Sequence, residues 1–466
     1  MADPARSQRV PHGATEAGEW RERLTELMAE HRVPGATLGI LHGGTITATG
    51  AGVLSKATGV DVTHDSLFQI GSITKVWTAT LVMQLVDEGV LDLDAPVADV
   101  LPGFQVADAG VTRTVTTRHL LTHTSGIDGD VFTDTGRGDD CLERYVAGMA
   151  EIAQNHPLGA TWSYCNSGYV LLGRIVEHLT GGTWDAALRK RLIEPLGLAA
   201  TVTLPEEAIV HRVAVGHVAE PGDEPVPTTT WGLPRSCGPA GLITASVHDV
   251  LEFSRMHLDG GRADGGAEVL SAASVEAMGR KEADLPDRYT LGDSWGLGWI
   301  RFGWGGERLL GHDGNTIGQS ATLRVLPAKG LAVAMLANGG NTNDLFHDLH
   351  REIFGEAAGV EKPGPLEPPS TAPAIDPTAY VGRYERAGLT TEVLERDGRL
   401  SLRSTITGPI AELVPEPVHE YPLVPVEPGL FAMRPPETTT WLAVTFYSLP
   451  DGSRYVHYGA RANPLV

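Results

Sequence analysis

Apolar positions change their period several times along the chain, and each change predicts a different kind of structure. Over 16–31, Trp20, Leu24, Leu27 and Met28 share one helical stripe, which Pro34 and Gly35 stop. Segments 36–41 and 45–50 read as two strands joined at His42-Gly43-Gly44, a hairpin signal. Helical spacing returns from Ser72 to near Gly89, and again over 116–121, 142–152, 168–179, 184–192 and 247–258, the last capped by Ser246. Residues 290–302 then read as a strand, 309–314 as a short one, 321–326 and 331–337 as clear strands, and 344–354 as a helix. The 331–337 run is apolar throughout, which suits the middle of a sheet covered on both faces.

This order puts strands at both ends of 16–358 and mostly helices between them. The two ends are expected to share one sheet, with a helical insertion and a cleft between sheet and helices. Residues 1–15 read as a loose tail and 221–231 as a polar, proline-rich excursion. Over 359–377, prolines at 363, 365, 368, 369, 373 and 377 predict an extended linker. From 378 to 466 the pattern is one of short strands: YVGRYE, TTEVLERD, RLSLRST, FAMRP, WLAVTFYSL and YVHYGARA, with a turn at Asp397-Gly398. They predict a small antiparallel barrel, so the expected class is α/β (α+β) with a separate β-barrel domain.

Charge narrows the partners. The 466 residues carry a formal net charge of -22, which argues against nucleic acid and against an acidic membrane face. No stretch reaches the ~20 apolar residues of a transmembrane helix, and the start MADPARSQRVPHG lacks an apolar signal core. The three cysteines, Cys141, Cys165 and Cys237, are widely spaced and form no disulfide framework or zinc motif. The expectation is a cytoplasmic protein in a reducing compartment.

Candidate chemistry centres on FQIGSITKVW, residues 68–77. Ser72 and Lys75 are three apart at a helix start, so they share a face. A buried lysine of lowered pKa can serve as the base that a nucleophilic serine requires. In GATWSYCNSGY, an extended Tyr164-Cys165-Asn166 would turn Tyr164 and Asn166 to one side, Tyr164 as proton carrier and Asn166 as positioner. In GHDGN, His312 and Gly314 would share a strand face. His312 is placed to bond Tyr164 or ligand, and Gly314 to let a substrate lie against the backbone. The amides of Ser72 and Asn315 would bind an oxyanion. His123, in a threonine-rich turn, is read as structural. The acidic loop 126–140, with Asp128, Asp130, Asp134, Asp139 and Asp140, lacks the spacing of a calcium loop. Neither metal nor cofactor is called for.

Taken together, Ser-x-x-Lys, Tyr-x-Asn and His-x-Gly, with LLTHTSGI, PLGL and GPAGLI between them, resemble the class C beta-lactamase and penicillin-binding-protein superfamily of serine hydrolases. The resemblance implies Ser72 as acyl-forming nucleophile, Lys75 and Tyr164 as base and proton relay, Asn166 as substrate and lysine positioner, and Asn315 N–H in the oxyanion hole. The usual Lys-Thr-Gly is here His312-Asp313-Gly314. That form looks like the esterase, D-aminopeptidase and acyltransferase branches; peptide-cyclising thioesterases are also similar to this fold and carry a small barrel tail, and the segment from Tyr380 resembles a lipocalin-like barrel. The expected activity is acyl hydrolysis or transfer on a small ester, thioester or D-configured amide or peptide. The rivals are a D,D-peptidase or beta-lactamase, a metal-assisted hydrolase using the acidic loop, and a non-catalytic ligand-binding or sensor protein.

Overall fold

The computed structural model describes residues 14–466 except 220–222, 408–410, 412–415, 436–437 and 439. Most of the expected N-terminal tail, and part of the 221–231 excursion, lie outside the described residues.

Strands from both ends of the first part of the chain do share one antiparallel sheet. Its order is Thr45–Gly52, Gly35–His42, Leu331–Ala337, Gln319–Leu326, Glu307–Thr316, Ile300–Trp304, Ser294–Trp295 and Ala283–Asp284. Leu331–Ala337 sits in the middle with every residue buried. Its alternation sorts its side chains between two cores. Ala332, Ala334 and Leu336 join the core that holds the internal helices, while Leu331, Val333, Met335 and Ala337 join the one that holds the two terminal helices. Those helices, Ala14–Glu30 and Thr342–Ala358, back the sheet. Val247–Leu258 covers the opposite face, packing so closely that a Cβ on Gly39 would lie 2.6 Å from Leu251.

The 290–302 segment is not one strand. It folds into the paired strands Ser294–Trp295 and Ile300–Trp304, turned at Gly298 with φ +86°. Gly296 and Gly298, between Trp295 and Trp299, permit that bend, a signal that the reading of a single strand passed over.

The helix after Ser72 is apolar almost all round. Every residue from Thr74 to Leu85 is buried, so it is a central helix and not a surface one. Trp77 stacks on Phe253 with ring centres 4.0 Å apart, tying it to Val247–Leu258. The helix Asn166–Thr180 packs beside it.

The last part of the chain forms an eight-stranded antiparallel sheet in sequence order from Gly382–Arg386 to Arg461–Pro464. A bridge between Tyr384 and Leu465 brings first and last strands together, so the barrel is nearly closed. Tyr384, Leu402, Phe431, Val444 and Val456 fill its interior. YVHYGARA, read as one strand, is a hairpin: Arg454–Tyr458 pairs with Arg461–Pro464 across Gly459-Ala460, at φ +58° and +65°. Positive φ at both central residues is the two-residue turn whose twist matches a hairpin. Val418–Glu427 is a further strand that the pattern did not reveal, its alternation broken by Pro422 and Pro425.

Candidate active site

The short strand Leu67–Gln69 pairs with Thr244–Ser246 and runs into a tight turn. Gly71 takes φ +51°, Gly71–Ile73 forms one 3-10 turn, and the α-helix begins at Thr74. Ser72 is therefore lifted half-exposed at the helix entrance, while Lys75, one turn on, is fully buried. Lys75 Nζ lies 3.0 Å from Ser72 Oγ and donates to the Ala240 carbonyl at 2.6 Å. Ala240 belongs to GPAGLI, and its carbonyl was not foreseen as a partner. The turn carrying it is pressed against Asn166–Thr180, where a Cβ on Gly173 would lie 2.1 Å from the Pro239 ring. Burial drives the Lys75 amine well below its ordinary pKa, and the nearby Arg461 cation adds to this. A neutral amine beside a serine hydroxyl can accept its proton.

At Gly314 the missing side chain is required by the packing of the strand against the serine turn. A Cβ there would sit 1.9 Å from Ile70 O and 2.9 Å from Ser72 N. A Cβ on Gly71 would meet Asn315 N at 2.6 Å. The two glycines let turn and strand abut, which brings the Ser72 and Asn315 amides to one rim. Asn315 Oδ1 accepts from the Ser320 hydroxyl at 2.8 Å, and the Asn315 backbone nitrogen is the atom nearest the Gly71 turn.

Tyr164 is buried, and its Oη closes no hydrogen bond. Lys75 Nζ and Arg461 Cζ each lie 4.8 Å from its ring centre. Burial raises its pKa, and this outweighs the lowering by Ser72 and Arg461. The Arg461 cation over the ring does not reverse this, and the phenol stays protonated.

The triplet is not uniformly extended. Cys165 is extended and caps the helix, its Sγ accepting from Gly168 N–H, and Asn166 is the first helical residue. Cys165 does point away, donating toward Ile127 O at 3.3 Å. Asn166 Nδ2 donates to Asp130 Oδ1 at 3.3 Å. His312 is buried with Nδ1 2.7 Å from the Asp313 carbonyl, and Nε2 has no partner. Burial, then Lys75, pushes its pKa down to about 3, so it is neutral. Its ring packs against Tyr164 and Trp295, with centres 6.2 and 5.5 Å apart.

The acidic loop turns out to receive the barrel. Asp130 accepts from Arg386 at 2.5 Å and Arg461 at 2.7 Å, and Asp128 from Ala387 N–H at 2.7 Å. The Tyr164 amide donates to Ala460 O at 3.0 Å. The barrel thus touches the cleft through its last hairpin. Arg461 was missed because nothing local distinguishes it; only the Gly459-Ala460 turn hinted that a hairpin tip lies there. Among the described residues, no group of three or more His, Cys, Asp or Glu is placed to hold a metal ion. All three cysteines are buried and unpaired. No described helix is long and apolar enough to cross a membrane.

A serine and a buried lysine of lowered pKa at a helix entrance, facing a sheet edge, are the pair of groups that a serine hydrolase uses. The chain belongs to the Beta-lactamase family, whose model matches residues 20–358. It is 52% identical over 371 residues to penicillin-binding protein 4 of Amycolatopsis lactamdurans, covering 79% of this chain and 97% of that one. The crystal structure of SurE with D-Leu superposes at a TM-score of 0.78 with 31% identity, covering 97% of this chain and 100% of that chain. The D-amino acid amidase of Ochrobactrum anthropi SV3, complexed with L-phenylalanine amide, shares the fold at a TM-score of 0.58 and 24% identity, over 71% of this chain and 98% of that one.

Proposed function

We propose that the protein transfers an acyl group from a D-configured peptide amide, ester or thioester to Ser72, and from there to water or an amine. The observation that carries this is the buried Lys75 amine, 3.0 Å from the Ser72 hydroxyl, with its pKa driven down by burial. Ser72 O–H gives its proton to Lys75 as Oγ bonds the substrate carbonyl carbon. The oxyanion takes hydrogen bonds from the amides of Ser72 and Asn315. The Tyr164 phenol protonates the leaving group and recovers a proton from Lys75 as the acyl-enzyme forms. Asn166 orients the substrate amide, and the neutral His312 supports Tyr164 by packing.

The D-configured substrate class is supported by what SurE and the amidase are named with. The 52% identical relative supports a second reading, acylation by a penicillin, as its name says of that protein. The residue at the Lys-Thr-Gly position favours the first reading, since His312 is neutral where a penicillin carboxylate would meet a lysine. Neither reading calls for nucleic acid, membrane, metal or cofactor.

The test is intact-protein mass after brief exposure to a p-nitrophenyl ester, a penicillin and a peptidyl-D-alanine thioester, on wild type and S72A. A transient adduct on wild type alone supports Ser72, and the donor that turns over names the branch. An adduct on S72A, or activity near wild type in a clean S72A preparation, sinks the mechanism.

A further inference from the structure

The Tyr164 phenol stands beside the Ser72 hydroxyl, which lowers its pKa, yet among the described residues its hydroxyl closes no well-aligned hydrogen bond. Its placement therefore rests on its backbone and on what packs against its ring. His123 supplies much of both. The His123 carbonyl accepts from the Ser163 amide at 3.0 Å, and His123 Nδ1 from the Cys165 amide at 2.9 Å. These are the two amides flanking Tyr164. The His123 ring lies under the Tyr164 ring with centres 4.3 Å apart and planes at 30°.

The side chain is suited to this task in three ways. It is completely buried among Trp162, Tyr169 and Trp295, so its ring has one orientation. Nδ1 accepts a backbone N–H, so it bears no proton, and the neutral ring carries its hydrogen on Nε2. A second proton would have to sit on Nδ1, whose lone pair the Cys165 amide already occupies. The backbone sits at φ +59°, a left-handed conformation that Asn and His adopt more readily than most residues.

We infer that His123 is a positioning residue for acyl transfer: its carbonyl and unprotonated Nδ1 clamp the two amides around Tyr164 and set the phenol over Ser72 and Lys75. It touches no reacting atom. The inference rests on the reading of Tyr164 as proton carrier.

Two isosteric amides separate positioning from bulk. In H123N the carbonyl oxygen falls where Nδ1 now sits, and Asn accepts positive φ. In H123Q the oxygen falls one bond further out, near the place of Nε2, and the Cys165 amide loses its acceptor. Single-turnover acylation by a p-nitrophenyl ester is followed by mass, with KM and thermal unfolding measured on the same preparations. H123N is expected within about threefold of wild type, and H123Q about a hundredfold slower in the acylation step with KM little changed, the size of a small misplacement of a reacting group. Equal rates in the two variants, or H123Q near wild type, overturn the inference. So does a Gln deficit that vanishes well below that variant's own melting temperature, because it would then be a folding effect. An absent adduct on wild type itself is a different failure, that of the acyl-enzyme reading.

Discussion

Arg461, from the tip of the barrel's last hairpin, lies over the ring of Tyr164 at 4.8 Å while its guanidinium donates to Asp130. The cleft of the first part of the chain is thereby finished by a residue almost at the chain's end. Arg461 also disfavours the protonated form of Lys75. Replacing it by an uncharged side chain of similar length, R461M, should let the lysine pKa rise. Because the base must be unprotonated to act, the acid limb of kcat/KM should move to higher pH. A rise of one unit would cost about tenfold in rate on that limb. A pH–rate profile of wild type and R461M checks this; an unmoved limb would mean that the barrel's charge is not felt at Lys75.

Lys75 itself should trade stability for chemistry. Its pKa is well below 10.5 when folded and ordinary when unfolded. Between those two values the unfolded chain binds the extra proton, so this group's contribution to stability falls as pH drops toward the folded pKa and recovers as pH rises toward 10.5. K75M removes the buried amine, and should give an inactive protein that melts at or above the wild-type temperature at neutral pH. The gap should close by about pH 10. Thermal melts across pH for the two proteins test the sign; a K75M protein much less stable at neutral pH would show that the Ala240 contact outweighs desolvation.

Asp130 neutralises two largely buried arginines, Arg386 and Arg461. D130A leaves both guanidiniums without their carboxylate, and removing one partner of a buried ion pair costs about 3–5 kcal/mol. Denaturant unfolding should show a loss of that order, and proteolysis within the 359–377 segment should speed up as the barrel loosens. A loss below about 1 kcal/mol would mean that the pair is worth no more than a surface salt bridge.

G314A should fail for a steric reason unrelated to substrate. The added methyl would meet the Ile70 carbonyl at 1.9 Å. Overpacking of this kind costs about 1–3 kcal/mol, and here it pushes the serine turn off the strand that carries Asn315. Acylation should fall by more than the loss of stability explains, whatever the size of the donor. A variant slow only with bulky donors would restore the view that Gly314 makes room for substrate.

The local part of this protein could be read without coordinates. Apolar period sets helix or strand wherever burial is one-sided or complete, so the shared sheet, the all-apolar Leu331–Ala337 strand and the helix after Ser72 were legible. Ser72 and Lys75 were legible as well, because the helix itself fixes residues three apart on one face. Elements that bend at glycine or carry proline were misread, as at Gly298, Gly459-Ala460 and Val418–Glu427, because period alone does not show where a chain reverses. What only the tertiary structure decided depends on chain segments far apart in sequence. Burial from every side lowers the pKa of Lys75 and raises that of Tyr164. Gly314 is required by Ile70, and Asp130 is claimed by arginines more than two hundred residues away. Desolvation and close packing are sums over all neighbours in space, and no spacing along the sequence encodes such a sum.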